Sequence, residues 1–301
     1  MSQKKQCGYI AIIGRPNVGK STLLNHLIQQ KISITSKKPQ TTRQRILGIK
    51  TSAHQQMIYV DTPGLHQNAH RALNRYMNRA ATSSVFDVDL ILFLVDGLHW
   101  TSDDEWALKK IEHVKAPVIL VVNKIDKISD KTSLLPHLEI LNKKRKFIEV
   151  VPLIAKSNQD AEMLEEIITH YLPEKEFAFD ADQITDRTER FMAAEIIREK
   201  LMRHLGQELP YDLTVEIEEY KVEQQVTRSL LRISAVIYVE KPGQKIIVIG
   251  EKGERLKMVG EKARLDMEKL FGEKVFLQLW VKVKRGWSDS ERSLQSLGFL
   301  H

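Results

Sequence analysis

Short apolar runs without polar alternation punctuate the first half of the chain: Tyr9-Ile-Ala-Ile-Ile13, Met57-Ile-Tyr-Val60, Leu90-Ile-Leu-Phe-Leu-Val95 and Val118-Ile-Leu-Val-Val122. Strands covered on both faces read this way. Amphipathic stretches separate the runs, the last of them a helix from Asp160 to Tyr171 that Pro173 ends. Strands alternating with helices predict an α/β domain over residues 1–173, with a mixed, mostly parallel sheet and helices on both faces.

Beyond Pro173 the pattern changes. Residues 174–186 carry several acids and no sustained apolar period, and are expected to be a linker. Phe191, Ala194, Leu201 and Leu205 then fall at helical spacing, while Leu213-Thr-Val-Glu-Ile217 and Leu231-Arg-Ile-Ser-Ala-Val-Ile237 alternate with period two, as half-exposed strands do. The apolar run Ile246–Ile249 leads into Gly250-Glu251-Lys252-Gly253. A helix follows with Leu256, Val259, Ala263, Met267 and Leu270 on one face, and Val275, Leu277, Leu279, Val281 and Val283 mark a third strand. Helix, strand, strand, turn, helix, strand describes a separate α+β module over residues 187–287. Ser288-Asp-Ser-Glu291 reads as a capping box for a short tail helix over Leu294 and Leu297, within 288–301 and ended by Gly298.

A length of 301 residues suits two cores, at about 100 to 200 residues each. The formal charge of +7 says less than its distribution: 24 Lys and Arg against 16 Asp and Glu up to Pro173, 9 against 15 from Glu174 to Glu240, and 13 against 8 from Lys241 onward. The basic surplus sits in the first domain and at the C-terminal end, where a polyanion can be met. A single cysteine, Cys7, excludes an intramolecular disulfide and a thiolate zinc cluster, which suits a reducing cytosol. No stretch approaches the ~20 apolar residues of a spanning helix. Arg15 cuts the Tyr9–Ile13 run well short of a signal sequence, so a soluble chain is expected, with peripheral membrane contact left open.

Gly14-Arg15-Pro16-Asn17-Val18-Gly19-Lys20-Ser21-Thr22 follows the first apolar run and opens a helix containing Leu23, Leu24 and Leu27. Between strand and helix, this phosphate-loop pattern carries meaning. Glycines let successive N–H groups curl toward phosphate oxygens, and the helix N-terminus adds its positive end. Lys20 supplies a point charge and Ser21 a hydroxyl for Mg²⁺. Asp61-Thr62-Pro63-Gly64 ends the run Met57–Val60; a carboxylate there can hold a metal-bound water, and Gly64 can present its N–H to a terminal phosphate. Asn123-Lys124-Ile125-Asp126 ends the run Val118–Val122. The Asp126 carboxylate can accept from guanine N1–H and N2–H₂, whereas adenine offers an acceptor and no such amine, and polar complementarity of this kind discriminates by about 10⁴ or more. GTP is expected over ATP.

With three motifs in order on successive strand ends, the first domain resembles the translation-factor-related branch of GTPases over its whole length. The resemblance implies that a threonine after Lys37-Lys38-Pro39-Gln40 closes on Mg²⁺ and the γ-phosphate, and position in the family pattern favours Thr42 over Thr41. It places the final base-contacting segment at Ile154-Ala155-Lys156, where the usual serine is missing and the Ala155 backbone is left as the main contact. Leu65 stands where Ras-like enzymes carry a water-orienting glutamine. The chain is therefore similar to GTPases with a hydrophobic residue there, several of which recruit K⁺ through a phosphate-loop asparagine, here Asn17. Asn17, Lys20, Thr42 and Gly64 are the expected catalytic groups; GTP or GDP, Mg²⁺ and K⁺ are the expected ligands, and intrinsic turnover is expected to be slow.

A lone Gly-x-x-Gly means little, but Gly250-Glu251-Lys252-Gly253, set between an apolar run and an amphipathic helix, resembles the type II KH RNA-binding module, whose loop clamps about four nucleotides by their backbone. Arg255 and Lys257 add cations on the same turn, and Lys245, Lys262 and Lys282 extend the patch. Trp280 and Trp287 are candidates for base stacking, against ordinary core packing. A GTPase joined to this module, with Leu279-Trp-Val-Lys-Val-Lys-Arg-Gly-Trp287 after it, resembles the Era family of bacterial ribosome-assembly GTPases over essentially the whole chain. That resemblance implies binding to a single-stranded region near the 3′ end of small-subunit rRNA and help in maturation of the small ribosomal subunit. It also implies partial, peripheral association with the inner membrane; a cytoplasmic monomer is expected alongside. Two other readings stay open at this point: a signalling GTPase whose second domain binds protein or membrane lipid, and an ATP-dependent enzyme, against which Asp126 argues.

Overall fold

The computed structural model describes residues 4–65, 71–206, 209–224 and 229–299. It divides into two compact units, one up to Asp186 apart from 71–73, the other comprising 71–73 and the chain from Arg187 onward.

The first unit is built on strands β1 (Gln6–Ile13), β2 (Ile46–Thr51), β3 (Gln55–Asp61), β4 (Leu90–Asp96), β5 (Val118–Asn123) and β6 (Glu149–Leu153), in the order β2-β3-β1-β4-β5-β6. Only β2 and β3 run antiparallel, because a short turn joins them; the parallel neighbours are connected by helical crossovers. Alternate residues of β1, β4 and β5, such as Ala11, Ile13, Phe93 and Leu120, pack against Ala81, Ala107 and Leu141 of α2 (Ala72–Ser83), α3 (Ser102–Lys110) and α4 (Leu134–Asn142). The complementary set, Ile10, Ile12 and Ile119 among them, is equally buried. It faces the side where α1 (Lys20–Ile28) and α5 (Asn158–Thr169) pack on one another. Double burial is why these strands lack polar alternation.

The segment 174–186, expected from sequence to be a linker, lies along this unit as a strap. Its start pairs with β1, through the Glu174–Gln6 bridge and the Cys7 amide on the Pro173 carbonyl at 3.1 Å. Gln56 of β3, fully buried, accepts from the Ala178 and Phe179 amides at 2.8 and 3.0 Å and donates to the Phe179 carbonyl at 2.8 Å. The strap then pairs with β2, where the Ile49 amide meets the Ile184 carbonyl and the Leu47 amide the Asp186 carboxylate. Its acids and its missing period reflect an irregular path that is nonetheless hydrogen-bonded at each strand it crosses.

The second unit contains α6 (Glu189–His204), β7 (Leu213–Gln224), β8 (Ser229–Val239), α7 (Pro242–Ile249), α8 (Glu254–Phe271) and β9 (Lys274–Val283). In the sheet β7-β8-β9, β7 and β8 are antiparallel and β8 and β9 parallel. Ile196, Ile197 and Leu201 of α6 meet Ile233 and Ile237 of the central strand, with Val259, Ala263 and Met267 of α8 beside them. One element departs from the expected order: the run Ile246–Ile249 belongs to helix α7, opened by Pro242 in its first turn and by the Gln244 side chain accepting the Lys241 amide at 2.8 Å. Only Val248 of it is buried, and Ile246 and Ile247 are exposed. The tail also differs. Ser290, and not Ser288, caps α9 (Glu291–Ser296) by accepting from the Ser293 amide, because Ser288 is buried and its hydroxyl donates to Glu240 at 2.8 Å.

Candidate functional site

All three motifs of the first unit lie at the carboxyl ends of parallel strands, where open α/β sheets take their ligands. The loop after β1 is held from several sides. Gly19 has φ +110°, and a Cβ on it would fall 2.3 Å from the Asn123 amide nitrogen at the end of β5, so only glycine fits. Asn17 adopts the left-handed conformation at φ +64° and is exposed at the loop apex, with its carbonyl accepting from the Lys124 ammonium at 2.7 Å. Lys20 is buried, and its ammonium donates to the Gly14 and Arg15 carbonyls at 2.9 Å each. Burial lowers its pKa to about 8, against the opposing pull of Asp61.

Asp61, at the end of β3, is wholly buried. Its Oδ2 accepts from Ser21 Oγ at 2.8 Å, Ser33 Oγ at 2.8 Å and Thr42 Oγ1 at 3.2 Å. Ser21 and Thr42 are themselves 2.8 Å apart. Oδ1 has no hydrogen-bond partner among the described residues. Burial pushes the Asp61 carboxyl up, and the Lys20 charge with the three hydroxyls pulls it back. Two hydroxyls converging on a carboxylate with one oxygen unspent is a donor set suited to a hard, oxygen-seeking cation such as Mg²⁺. Thr41 is placed elsewhere, donating to the Lys38 carbonyl at 2.7 Å. Gly64 lies against Pro16 of the phosphate loop, and Leu65 is buried in the apolar core.

The base end is organised by Asn123. Its Nδ2 donates to the Val18 carbonyl at 2.7 Å, and its Oδ1 accepts from the Lys124 and Ala155 amides at 2.7 and 2.9 Å. One side chain thus ties phosphate loop, β5 and the Ile154-Ala155-Lys156 segment together. Ile125–Lys127 forms a single tight turn that leaves Asp126 exposed, and Lys156 is exposed too. The Ala155 amide, expected to face the base, is engaged by Asn123.

Sequence reasoning missed four residues of this site. Asp96 ends β4 and binds the Lys124 ammonium at 2.6 Å; Asp104, buried in the capping box of α3, accepts from Arg15 Nε at 2.9 Å. Ser33 reaches Asp61, and Asn25 holds Ser33 on both backbone sides. Only Asp96 carried a signal, an acid closing an apolar run.

In the second unit, Gly250 (φ +75°), Lys252 (φ +48°) and Gly253 (φ +82°) form the turn between α7 and α8. Glu251, Lys252 and Lys257 are exposed. Arg255 is half-buried, and its guanidinium donates to the Ile247 carbonyl at the end of α7, so it braces the loop. A groove of about 420 Å³ runs from Gly253 between α8 and β9, floored by Leu256, Gly260, Leu277 and Leu279 with Lys257 and Arg264 on its rim. Of the outlying cations, Lys245 is exposed, Lys262 meets His204 at 3.1 Å and Lys282 pairs with Glu218 at 2.9 Å. The two tryptophans part company: Trp280 is exposed, whereas Trp287 is fully buried, donates to the Asp212 carbonyl and stacks on Phe299, which removes it as a base platform.

A phosphate loop, a buried strand-end aspartate and an Asn-Lys-x-Asp turn on one sheet, followed by a module with a Gly-x-x-Gly turn, define a P-loop GTPase carrying a KH domain. Residues 9–124 match the model of the family described as 50S ribosome-binding GTPase, and residues 208–288 that of the KH domain. The chain is 59% identical to the GTPase Era of Marinobacter nauticus over 295 residues, 98% of this chain and 95% of that one. It is 56% identical to the GTPase Era of Pseudomonas aeruginosa over 294 residues, again 98% and 95%. Among solved structures it is similar to Era in complex with MgGDPNP and nucleotides 1506–1542 of 16S ribosomal RNA, at TM-score 0.93 and 40% identity, covering 98% of this chain and 99% of that one. It is equally similar, at TM-score 0.93 and 39% identity with the same coverage, to an Aquifex aeolicus Era variant bound to GDP·AlF₄⁻. The chain belongs to the Era family of GTPases. Its activity is hydrolysis of GTP to GDP and phosphate.

Proposed function

We propose that this protein couples GTP binding in its first unit to recognition of single-stranded RNA by its second, acting on the 3′ region of small-subunit rRNA during maturation of the small ribosomal subunit. The observation that carries the nucleotide half is the convergence of Ser21, Thr42 and Ser33 on one oxygen of buried Asp61 beside buried Lys20. In this reading the amides of 14–22 cradle the phosphates, and Lys20 exchanges its two carbonyl partners for phosphate oxygens. Ser21 and Thr42 hold Mg²⁺, with Asp61 reaching it through water; the ion neutralises charge on the outer phosphates. The Gly64 amide faces the γ-phosphate, and Asp126 reads guanine. The Leu65 side chain is buried and apolar, so it orients no water. A K⁺ held by Asn17 would offset developing charge as an arginine finger does, and hydrolysis in K⁺ is then expected to exceed that in Na⁺ for the wild type and not for Asn17→Ala.

For the RNA half, Glu251 and Lys252 stand out from a glycine turn at the mouth of the groove, with Lys257 on its rim; such a turn lets a phosphate backbone approach. The solved relative holds nucleotides 1506–1542 of 16S rRNA, which supports the same class of ligand here. Crosslinking to a single-stranded RNA of that region tests it: the double variant Glu251→Asp/Lys252→Asp is expected to lose the crosslink while its circular dichroism is unchanged. An unchanged crosslink sinks the assignment of the loop. No helix of the described residues is long and apolar enough to cross a membrane. In this reading the protein is a cytoplasmic monomer, and its peripheral inner-membrane association is what the family resemblance implies.

A further inference from the structure

The three hydroxyls on Asp61 differ in what holds them. Thr42 rides on the loop before β2, and Ser21 opens α1; in the function proposed above both answer to the metal. Ser33 does not. It is 1% exposed and clamped by Asn25, whose Nδ2 donates to the Ser33 carbonyl at 2.7 Å while its Oδ1 accepts from the Ser33 amide at 2.9 Å and the Ile32 amide at 3.0 Å. Asn25 lies one helical turn beyond Ser21 on the same face of α1. The helix that presents Ser21 therefore also fixes, through a short side chain, the hydroxyl that steers Asp61. Ser33 Oγ occupies Oδ2 at 2.8 Å, and Oδ1 is the oxygen left over.

We infer that Ser33, held by Asn25, is a positioning residue for the Mg²⁺ shell: it pins Asp61 so that the carboxylate stays turned toward the Ser21 and Thr42 hydroxyls, with Asn25 of α1 anchoring Ser33 inside the α1–β2 connection that also carries Thr42. The inference rests on the assignment of Asp61 to that shell. A carboxylate with one donor fixed independently of the ligand does not have to be reoriented when nucleotide and ion enter, and partners of this kind outside the metal's own ligands are worth about 10- to 100-fold in metal affinity.

The test uses the full chain and release of a fluorescent GDP, followed over a Mg²⁺ titration and in EDTA. Ser33→Ala is expected to raise the Mg²⁺ concentration that half-maximally slows release by about 10-fold, with the EDTA rate unchanged. An unchanged Mg²⁺ midpoint at an unchanged EDTA rate overturns the inference. If the alanine variant also alters the EDTA rate, Ser33→Cys, which keeps the volume and weakens the donor, decides: a shifted midpoint at the wild-type EDTA rate supports it, and a disturbed EDTA rate in both variants makes Ser33 a folding residue only. Wild-type release that ignores Mg²⁺ altogether removes the metal assignment of Asp61 itself, a result distinct from the others.

Discussion

The nucleotide pocket and the glycine loop, both proposed here to meet phosphates, are built in opposite ways. In the pocket three polar side chains are buried and hydrogen-bonded, Lys20 on two carbonyls, Asp61 on three hydroxyls through one of its oxygens, and Asn123 on three backbone groups. In the loop Glu251, Lys252 and Lys257 stand in solvent, and what is fixed is the backbone, through glycine at Gly250 and Gly253 and the brace from Arg255. Buried groups must be paired, so one deletion there leaves others stranded. Exposed cations act through a screened field that several residues share.

Four outcomes would sharpen this contrast or break it. The largest is expected for Lys20→Ala, which strips the outer phosphates of a buried cation and leaves Asp61 uncompensated. Losses of this kind run to about 3–5 kcal/mol, so affinity for GTP should fall by about 10³-fold in a fluorescent-nucleotide titration, with RNA affinity in the absence of nucleotide unmoved. Next comes Gln56→Leu, remote from the phosphates, which strands the Ala178 and Phe179 amides and the Phe179 carbonyl. It should destabilise the first unit by about 2–4 kcal/mol in urea melts and separate burial as such from nucleotide chemistry.

The third is a pH dependence. Triphosphate favours charged Lys20, whose pKa in the free protein is lowered to about 8. Below that pH the group is already protonated and adds no dependence. Above it binding takes up a proton, so GTP affinity should fall by about tenfold per pH unit, and a flat titration between about pH 8 and 9 would place Lys20 in a more solvated setting than its burial implies. The smallest belongs to the loop: Lys257→Ala should weaken RNA binding only a few-fold and reduce the salt slope by about one. A loss there as large as that of Lys20→Ala would erase the distinction between the two sites.

Much of this architecture could be read beforehand, for identifiable reasons. Doubly covered strands must be apolar throughout, so β1, β4 and β5 stood out as runs, and each motif followed the run that positions it. The strap did not stand out, because its bonds go to Gln56, Ile49, Leu47 and Cys7 on distant strands and no local period records them. Helix α7 was hidden by composition: Ile246-Ile-Val-Ile249 is β-branched and apolar enough for a strand, and Pro242 with Gln244 tipped it into a helix. Ser288 offered the right spacing for a cap, yet a buried contact with Glu240 took it.

The order of residues along the chain carries the proposed chemistry: glycines and Lys20 after a strand as the expected phosphate contacts, Asp126 as the expected reader of guanine, and a glycine turn ahead of an amphipathic helix in the second unit. These are short-range properties, encoded by neighbours within one turn or one strand end. Tertiary structure alone decided how the pieces are held, with Asn123 joining three segments, Ser33 reaching Asp61 from another loop, and Trp287 withdrawn into the interior while Trp280 stays outside. Such contacts bring together residues tens of positions apart, and a hydrogen bond across that distance leaves no mark on the local pattern at either end.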